Sequence, residues 1–159
     1  MIAAASSDDK LQVAKEAGAD DLINYTDEDL KEALKSRYPQ GIDVIYDPVG
    51  DRFTEPALRN MAWNGRFLIV GFAAGETPKI PANLTLLKGC SVVGVFWGAF
   101  TRNEPERNAA NLRELMQWVG DGRLRPHVSA RYPLERAADA LDDLVQRRVH
   151  GKVVLTTED

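Results

Sequence analysis

Apolar and polar positions along the first hundred residues switch between two periods. Ile2 to Ala5 is a short apolar run, as expected of a buried strand, and Ser6-Ser7-Asp8-Asp9-Lys10 reads as the turn into a helix. Leu11, Ala14 and Ala17 mark one face of that helix, and Gly18 ends it. Residues 21–25 predict a second strand. Leu30, Ala33 and Leu34 give the next helix its apolar stripe, closed by Pro39-Gln40-Gly41. Residues 42–46 predict a third strand, 53–61 a third helix and 66–70 a fourth strand. After a proline-containing loop, residues 91–97 predict a fifth, whose Gly94 allows a bulge or a close backbone approach. Strands separated by helices of about ten residues imply right-handed crossovers and a parallel sheet.

The pattern changes after Gly98. Leu112, Leu115, Met116 and Val119 form a strong helical stripe that Gly120-Asp121-Gly122 stops. Residues 127–132 read as a strand within an extended stretch bounded by Pro126 and Pro133. Leu134, Ala137, Ala138, Leu141, Leu144 and Val145 mark another helix, and residues 152–155 a terminal strand. This tail need not share a sheet with the first hundred residues.

Composition narrows the function more than the fold. The chain has 159 residues, 44% hydrophobic and 28% charged, enough for one domain or slightly more with a substantial core. Its net charge is -4, with acids and bases interspersed, so there is no basic stripe for nucleic acid. Cys90 has no second cysteine to pair with, and His127 and His150 have no ligand-like neighbours, which leaves no disulfide and no metal set. No apolar run approaches the roughly 20 residues that span a bilayer, and the first residues do not resemble a signal peptide. A cytoplasmic location is the expectation.

In an open α/β sheet, ligands bind beyond the carboxyl ends of the strands. Those ends are Ser6-Ser7, Asn24-Tyr25, Asp47-Pro48-Val49-Gly50, Gly71-Phe72-Ala73 and Phe96-Trp97-Gly98. None carries a nucleophile beside a base, a carboxylate pair or metal ligands, so binding is indicated and acid–base catalysis is not. Where an NAD-preferring fold places an acid at the end of a strand, this chain has Ala5 and Ser6, with Lys10 one helical turn on. Two hydroxyls, a helix N-terminus and an ammonium group suit a 2'-phosphate. Equally, Ser7 reads as a helix cap and Lys10 as a solvated residue, and Asp8 and Asp9 oppose a phosphate. Tyr25 reads as a ligand contact or a half-buried aromatic, Gly50 and Gly71 as approach points or plain turn glycines, and Phe96 and Trp97 as platform or core.

DVIYDPVG, RFLIVGFAAG, IPANLTLLKGCSVVGVFWG, GRLRPHVSARYPLERAADAL and GKVVL occur in this order and spacing. Together they resemble the C-terminal half of zinc-independent quinone oxidoreductases of the medium-chain dehydrogenase/reductase superfamily, over nearly the whole chain. The resemblance implies a Rossmann-like α/β fold, a parallel sheet with helices on both faces, lacking its first strand and glycine-rich phosphate loop. It also implies a tail from the GroES-like catalytic domain, dividing the chain into residues 1–122 and 123–159. Family members are about twice this long, so a missing N-terminal half is expected.

The resemblance further implies NADP(H) as cofactor, with Ser6, Ser7, Lys10 and Tyr25 around the 2'-phosphate. Val49 and Gly50 would lie against the adenosine. Gly71, Phe72 and Ala73, with Val95, Phe96 and Trp97, would flank the nicotinamide. It implies hydride transfer to a small-molecule quinone or enone without metal, no catalytic residue in this half, and a homodimer through residues 91–97. The alternatives are a non-catalytic remnant that binds nucleotide or only associates, and a chain completed by a separate polypeptide.

Overall fold

The computed structural model describes residues 1–146 and 148–157. By contact the chain falls into two compact units, one of Met1–Ala3, Ser7–Leu22 and the residues from Glu104 onward, the other of Ala4–Ser6 and Ile23–Asn103.

Strand β1 (Ile2–Ala5) pairs with β2 (Asp21–Asn24) in a two-stranded sheet. The Met1 carbonyl accepts from the Asp20 N–H at 2.8 Å and the Ala5 carbonyl from the Tyr25 N–H at 3.1 Å, so the two strands run in the same direction. Between them lies α1 (Asp8–Glu16), with Asp8 and Asp9 in its first turn and Lys15 in its last, the arrangement the helix dipole favours. Helix α2 (Leu30–Arg37) is capped by Asp29, whose carboxylate accepts from the Glu32 N–H at 2.9 Å, a contact worth about 1 kcal/mol.

Three parallel strands form the sheet of the second unit, in the order β3 (Ile42–Asp47), β4 (Met61–Ile69), β5 (Ser91–Gly94). Helices α3 (Thr54–Arg59) and α4 (Ala82–Lys88) contribute to the core beside it. That core is Ala57, Leu58, Met61, Phe67 and Leu84, with Ile45, Ile69, Ile80, Cys90 and Val92 packed around it. Cys90 is a partly buried member of this cluster, as a small hydrophobe would be.

The third predicted helix is shorter than the sequence suggests: a 3₁₀ turn at Asp51–Phe53 precedes α3, which stops at Arg59. Met61 belongs to β4 instead. The register explains why: Ile42 pairs with Met61 but Val44 with Arg66, so residues 62–65 bulge out of the ladder. Asn64 reaches a φ of 61° in this bulge, and its N–H donates to the Gly89 carbonyl at 3.0 Å. The fifth strand also ends early. Beyond Gly94 only the Val95 N–H continues toward Ile69, at 2.8 Å, and Trp97 opens a further helix, α5 (Trp97–Asn103).

In the first unit, α6 (Pro105–Gly120) carries the expected apolar stripe, but none of its residues is buried. Strand β6 (Val128–Pro133) runs parallel to β7 (Lys152–Thr156), joined through a 3₁₀ turn and α7 (Ala137–Val145). The Tyr132 hydroxyl donates to the Asp143 carboxylate, tying β6 to α7, and Arg148 donates to Asp143 at 2.6 Å.

The Tyr132 hydroxyl, with Arg148 second, holds the Asp143 carboxyl below its ordinary range, and Asp143 in turn raises the Tyr132 phenol. The lowered carboxyl stabilises the fold above the ordinary carboxylate range and loses that contribution as pH falls through its folded value. The raised phenol contributes below the ordinary phenol range and loses its contribution as pH rises through its folded value. Tyr132→Phe should therefore lower the urea midpoint at neutral pH and have progressively less effect toward pH 3. An equal effect at both would refute the link.

Candidate functional site

The strand ends of the second unit converge through a chain of contacts. At the end of β1, the Ser6 carbonyl accepts from the Thr26 hydroxyl at 2.9 Å, while Tyr25 bonds back to Ala5. The Tyr25 ring packs on Phe53 with centroids 4.4 Å apart, and the Arg52 guanidinium lies 5.0 Å from the Phe53 centroid. The Phe53 N–H in turn donates to the Gly50 carbonyl at 3.3 Å. Ser6, Tyr25, Val49 and Gly50 are thus connected through Phe53.

Gly50 sits at φ 73° and ψ −150°, a region that only glycine occupies readily. A Cβ there would lie 2.9 Å from Cδ1 of Phe72, so the missing side chain is what lets the Phe72 ring close over the turn. Beneath the turn is Asp47, a residue only 9% exposed. One oxygen accepts from the Val49 and Gly50 N–H groups, both at 2.9 Å, and the other from the Thr54 hydroxyl at 2.7 Å.

The neighbouring loop bonds to the same strand end. Val70 and Gly71 N–H donate to the Asp47 carbonyl at 2.9 and 3.4 Å, Ala73 to Pro48 at 3.0 Å, Ala74 to Val49 at 3.0 Å and Gly75 to Phe72 at 2.9 Å. The Val95 bond to Ile69 places Val95 beside the start of this loop. Phe72, Phe96 and Trp97 are 42%, 72% and 52% exposed, so these rings are surface and not core. The Trp97 ring lies 5.4 Å from that of Phe100.

Ser7 and Lys10 belong to the other unit, on α1. Ser7 takes the N-cap position, yet its hydroxyl makes no capping hydrogen bond, which removes the simple cap as its explanation. Both residues are half-buried.

The sequence reading placed Asp47 at a strand end without giving it a role, and missed Thr54, Phe53 and Arg52. Asp47 had a signal: an acid followed by Pro-Val-Gly is a turn in which the carboxylate bonds amides two and three residues on. The stacking of Phe53 on Tyr25 had none, because it depends on packing. A cleft of about 690 Å³, lined in part by Lys31, Arg52, Glu55, Glu76 and Lys79, includes none of the twelve residues singled out from sequence.

Comparison with known proteins follows the same outline. Residues 17–155 match the family model described as zinc-binding dehydrogenase, and the chain belongs to that family. It is 39% identical to quinone oxidoreductase-like protein 2 of Bos taurus over 98% of this chain and 45% of that protein. The homologue in Nematostella vectensis is 37% identical over 97% of this chain and 43% of its own length. Among solved structures, Escherichia coli quinone oxidoreductase complexed with NADPH matches with a TM-score of 0.85 at 27% identity, over 97% of this chain and 48% of that one. The chain therefore spans less than half the length of the relatives it matches.

The fold is the Rossmann-like α/β fold of these quinone oxidoreductases, in agreement with the sequence reading. The family description names zinc, but among the described residues no group of three or more His, Cys, Asp or Glu side chains is placed to hold a metal ion. Among the same residues, no helix is long and apolar enough to cross a membrane.

Proposed function

We propose that this chain is the cofactor-binding part of an NADPH-dependent quinone or enone oxidoreductase that transfers hydride without metal. The observation that carries the reading is the joined set of strand ends, Ser6, Tyr25, Val49–Gly50 and Gly71–Ala73, in a fold shared with an NADPH complex. Gly50 fits the reading, since its missing side chain lets the half-exposed Phe72 ring close over the turn and present a flat face there. In this reading, Tyr25 and the Ser6–Lys10 segment hold the 2'-phosphate, and Val49 and Gly50 lie against the adenosine. Gly71–Ala73 and Val95–Trp97 flank the nicotinamide. The bound dinucleotide supplies the hydride; this chain orients it and contributes no acid or base.

Residues 1–122 are read as the nucleotide-binding domain and 123–159 as a segment that completes a catalytic domain, in a cytoplasmic enzyme. The second reading, a non-catalytic nucleotide-binding module, draws on the absence of an acid–base pair at the strand ends. Titration with NADPH and NADH tests the cofactor assignment. Lys10→Ala should weaken NADPH by about 1 kcal/mol or more, as for a charge-assisted contact, and NADH much less. Equal losses for the two would refute the 2'-phosphate assignment.

A homodimer through residues 91–97 belongs to the same proposal. Strand β5 ends its sheet, and Val93 and Val95 are each 38% exposed, an apolar edge with no protecting charge. Light scattering should give twice the chain mass, and Val93→Lys should reduce it to monomer or aggregate. A monodisperse unmutated monomer at high concentration would sink the dimer.

A further inference from the structure

We propose that Asn64–Gly65 is a site of spontaneous covalent modification, where the chain rearranges to an isoaspartyl link with loss of ammonia and so loosens the β3–β4 pairing. The proposal does not depend on the cofactor reading.

The reaction is intramolecular, with nucleophile and carbonyl in adjacent residues. The Gly65 amide nitrogen attacks Cγ of the Asn64 carboxamide, forming the new N–C bond of a five-membered succinimide. The Cγ–Nδ2 bond breaks, and the amide group leaves as ammonia with the Gly65 proton. Water then opens either carbonyl of the ring. One opening gives an ordinary aspartyl residue; the other routes the chain through the side-chain carbon and adds one atom to the backbone. One water is consumed for each ammonia released, and nothing is oxidised or reduced.

The bulge in β4 brings the reacting groups together for reasons of packing. Gly65 is required there, because a Cβ would lie 2.5 Å from Cε of Met61 and 3.0 and 3.1 Å from the Ala62 and Asp43 carbonyl oxygens. A glycine also leaves the attacking nitrogen unhindered. Asn64 has a φ of 61°, which asparagine tolerates better than most residues. Its side chain is exposed and makes no hydrogen bond among the described residues. Residues 62–65 have no partner in the β3–β4 register, so the peptide between Asn64 and Gly65 stands outside the ladder.

The chain has seven asparagines, and Asn64 alone precedes a glycine. Asn83, Asn103, Asn108 and Asn111 lie in helices. The carboxamides of Asn24 and Asn60 are engaged, the first donating to Asp27 at 2.7 Å and the second to the Pro56 carbonyl at 2.9 Å.

The product does not fit where the reactant does. At one end of the bulge Met61 is 2% exposed; at the other Arg66 pairs with both Val44 and Ser91. Between them, Ala62 lies so close to Gly41 that a Cβ there would come within 2.6 Å of its nitrogen. The Gly89 carbonyl holds the Asn64 N–H at 3.0 Å. A backbone atom added between Met61 and Arg66 must displace one of these anchors.

The test holds the folded 159-residue chain near pH 8 at about 37 °C and follows its tryptic peptides by tandem mass spectrometry. A gain of about 1 Da should appear in the peptide of residues 60–66 and fragment to position 64, at least about tenfold faster than at any other asparagine. Electron-based fragmentation should show the isoaspartyl link, and the urea midpoint should fall as its fraction grows. Asn64→Gly keeps the positive φ without the carboxamide, and its midpoint should stay constant through the same incubation. Asn64→Asp carries the new charge without the added backbone atom and should start close to the fresh unmutated chain. The proposal is overturned if position 64 converts no faster than the other asparagines, or if the isoaspartyl fraction rises while the midpoint holds. It is equally overturned if Asn64→Gly ages as the unmutated chain does, or if Asn64→Asp is already as unstable as the aged chain. Should a variant not fold, the mass and midpoint of the unmutated chain still decide.

Discussion

The 159-residue polypeptide should reduce quinones with NADPH at least about a thousandfold more slowly than a full-length relative. Holding two reactants in place contributes many orders of magnitude to such a reaction, and a displacement of about 1 Å costs about a hundredfold. In the proposed reading the strand ends wall the dinucleotide on one side, but the Val49, Gly50, Gly71 and Ala73 amides are engaged internally. They offer little to a pyrophosphate. Nor do they bring an acid–base pair or a substrate wall to the nicotinamide. Steady turnover by the pure polypeptide should be compared with that of an extended chain carrying the N-terminal part of a relative. Comparable rates would show that these residues suffice and would remove the reading of this chain as a cofactor-binding part.

Gly41→Ala should destabilise the fold by roughly 2–5 kcal/mol, combining backbone strain with overpacking. Gly41 has a φ of 86°, which an alanine adopts only under strain. The added Cβ would also lie 2.6 to 2.7 Å from Ala62 N, Ala62 Cα and the Met61 carbonyl carbon. These are backbone atoms at the entry to the β4 bulge and cannot rotate away as a side chain would. Relief would have to come from Met61, which is 2% exposed in the core. Urea unfolding of the two proteins under identical conditions measures the loss, and a change below about 0.5 kcal/mol would mean that the bulge yields freely.

Much of the fold was legible because its signals are local. The apolar run at Ile2–Ala5, the Leu11 face of α1 and the stripe of α6 each stand out against polar neighbours, and each became the expected element. The misses share a cause. Residues 62–65 carry no periodicity that distinguishes a bulged strand from the end of a helix; Gly41 and Gly89 decide the matter through space. Helix α4, only seven residues after Pro81, is too short to show a stripe. Phe96 and Trp97 extend the apolar run of β5, so nothing in the sequence marks where the strand gives way to α5. The strand ends could be picked out from the order of elements, whereas the bonding of Asp47 to Thr54 joins a strand to a helix seven residues on and depends on how the two pack.

The saturated turn above Asp47 also bears on how fast a ligand is captured. A loop that must be ordered on binding slows association and adds a concentration-independent step, but here Val70, Gly71, Ala73 and Ala74 are already cross-bonded to residues 47–49. Encounter should therefore lead directly to the bound state, with an observed rate that rises linearly with ligand concentration. Differences between related nucleosides would then appear in how long each one stays.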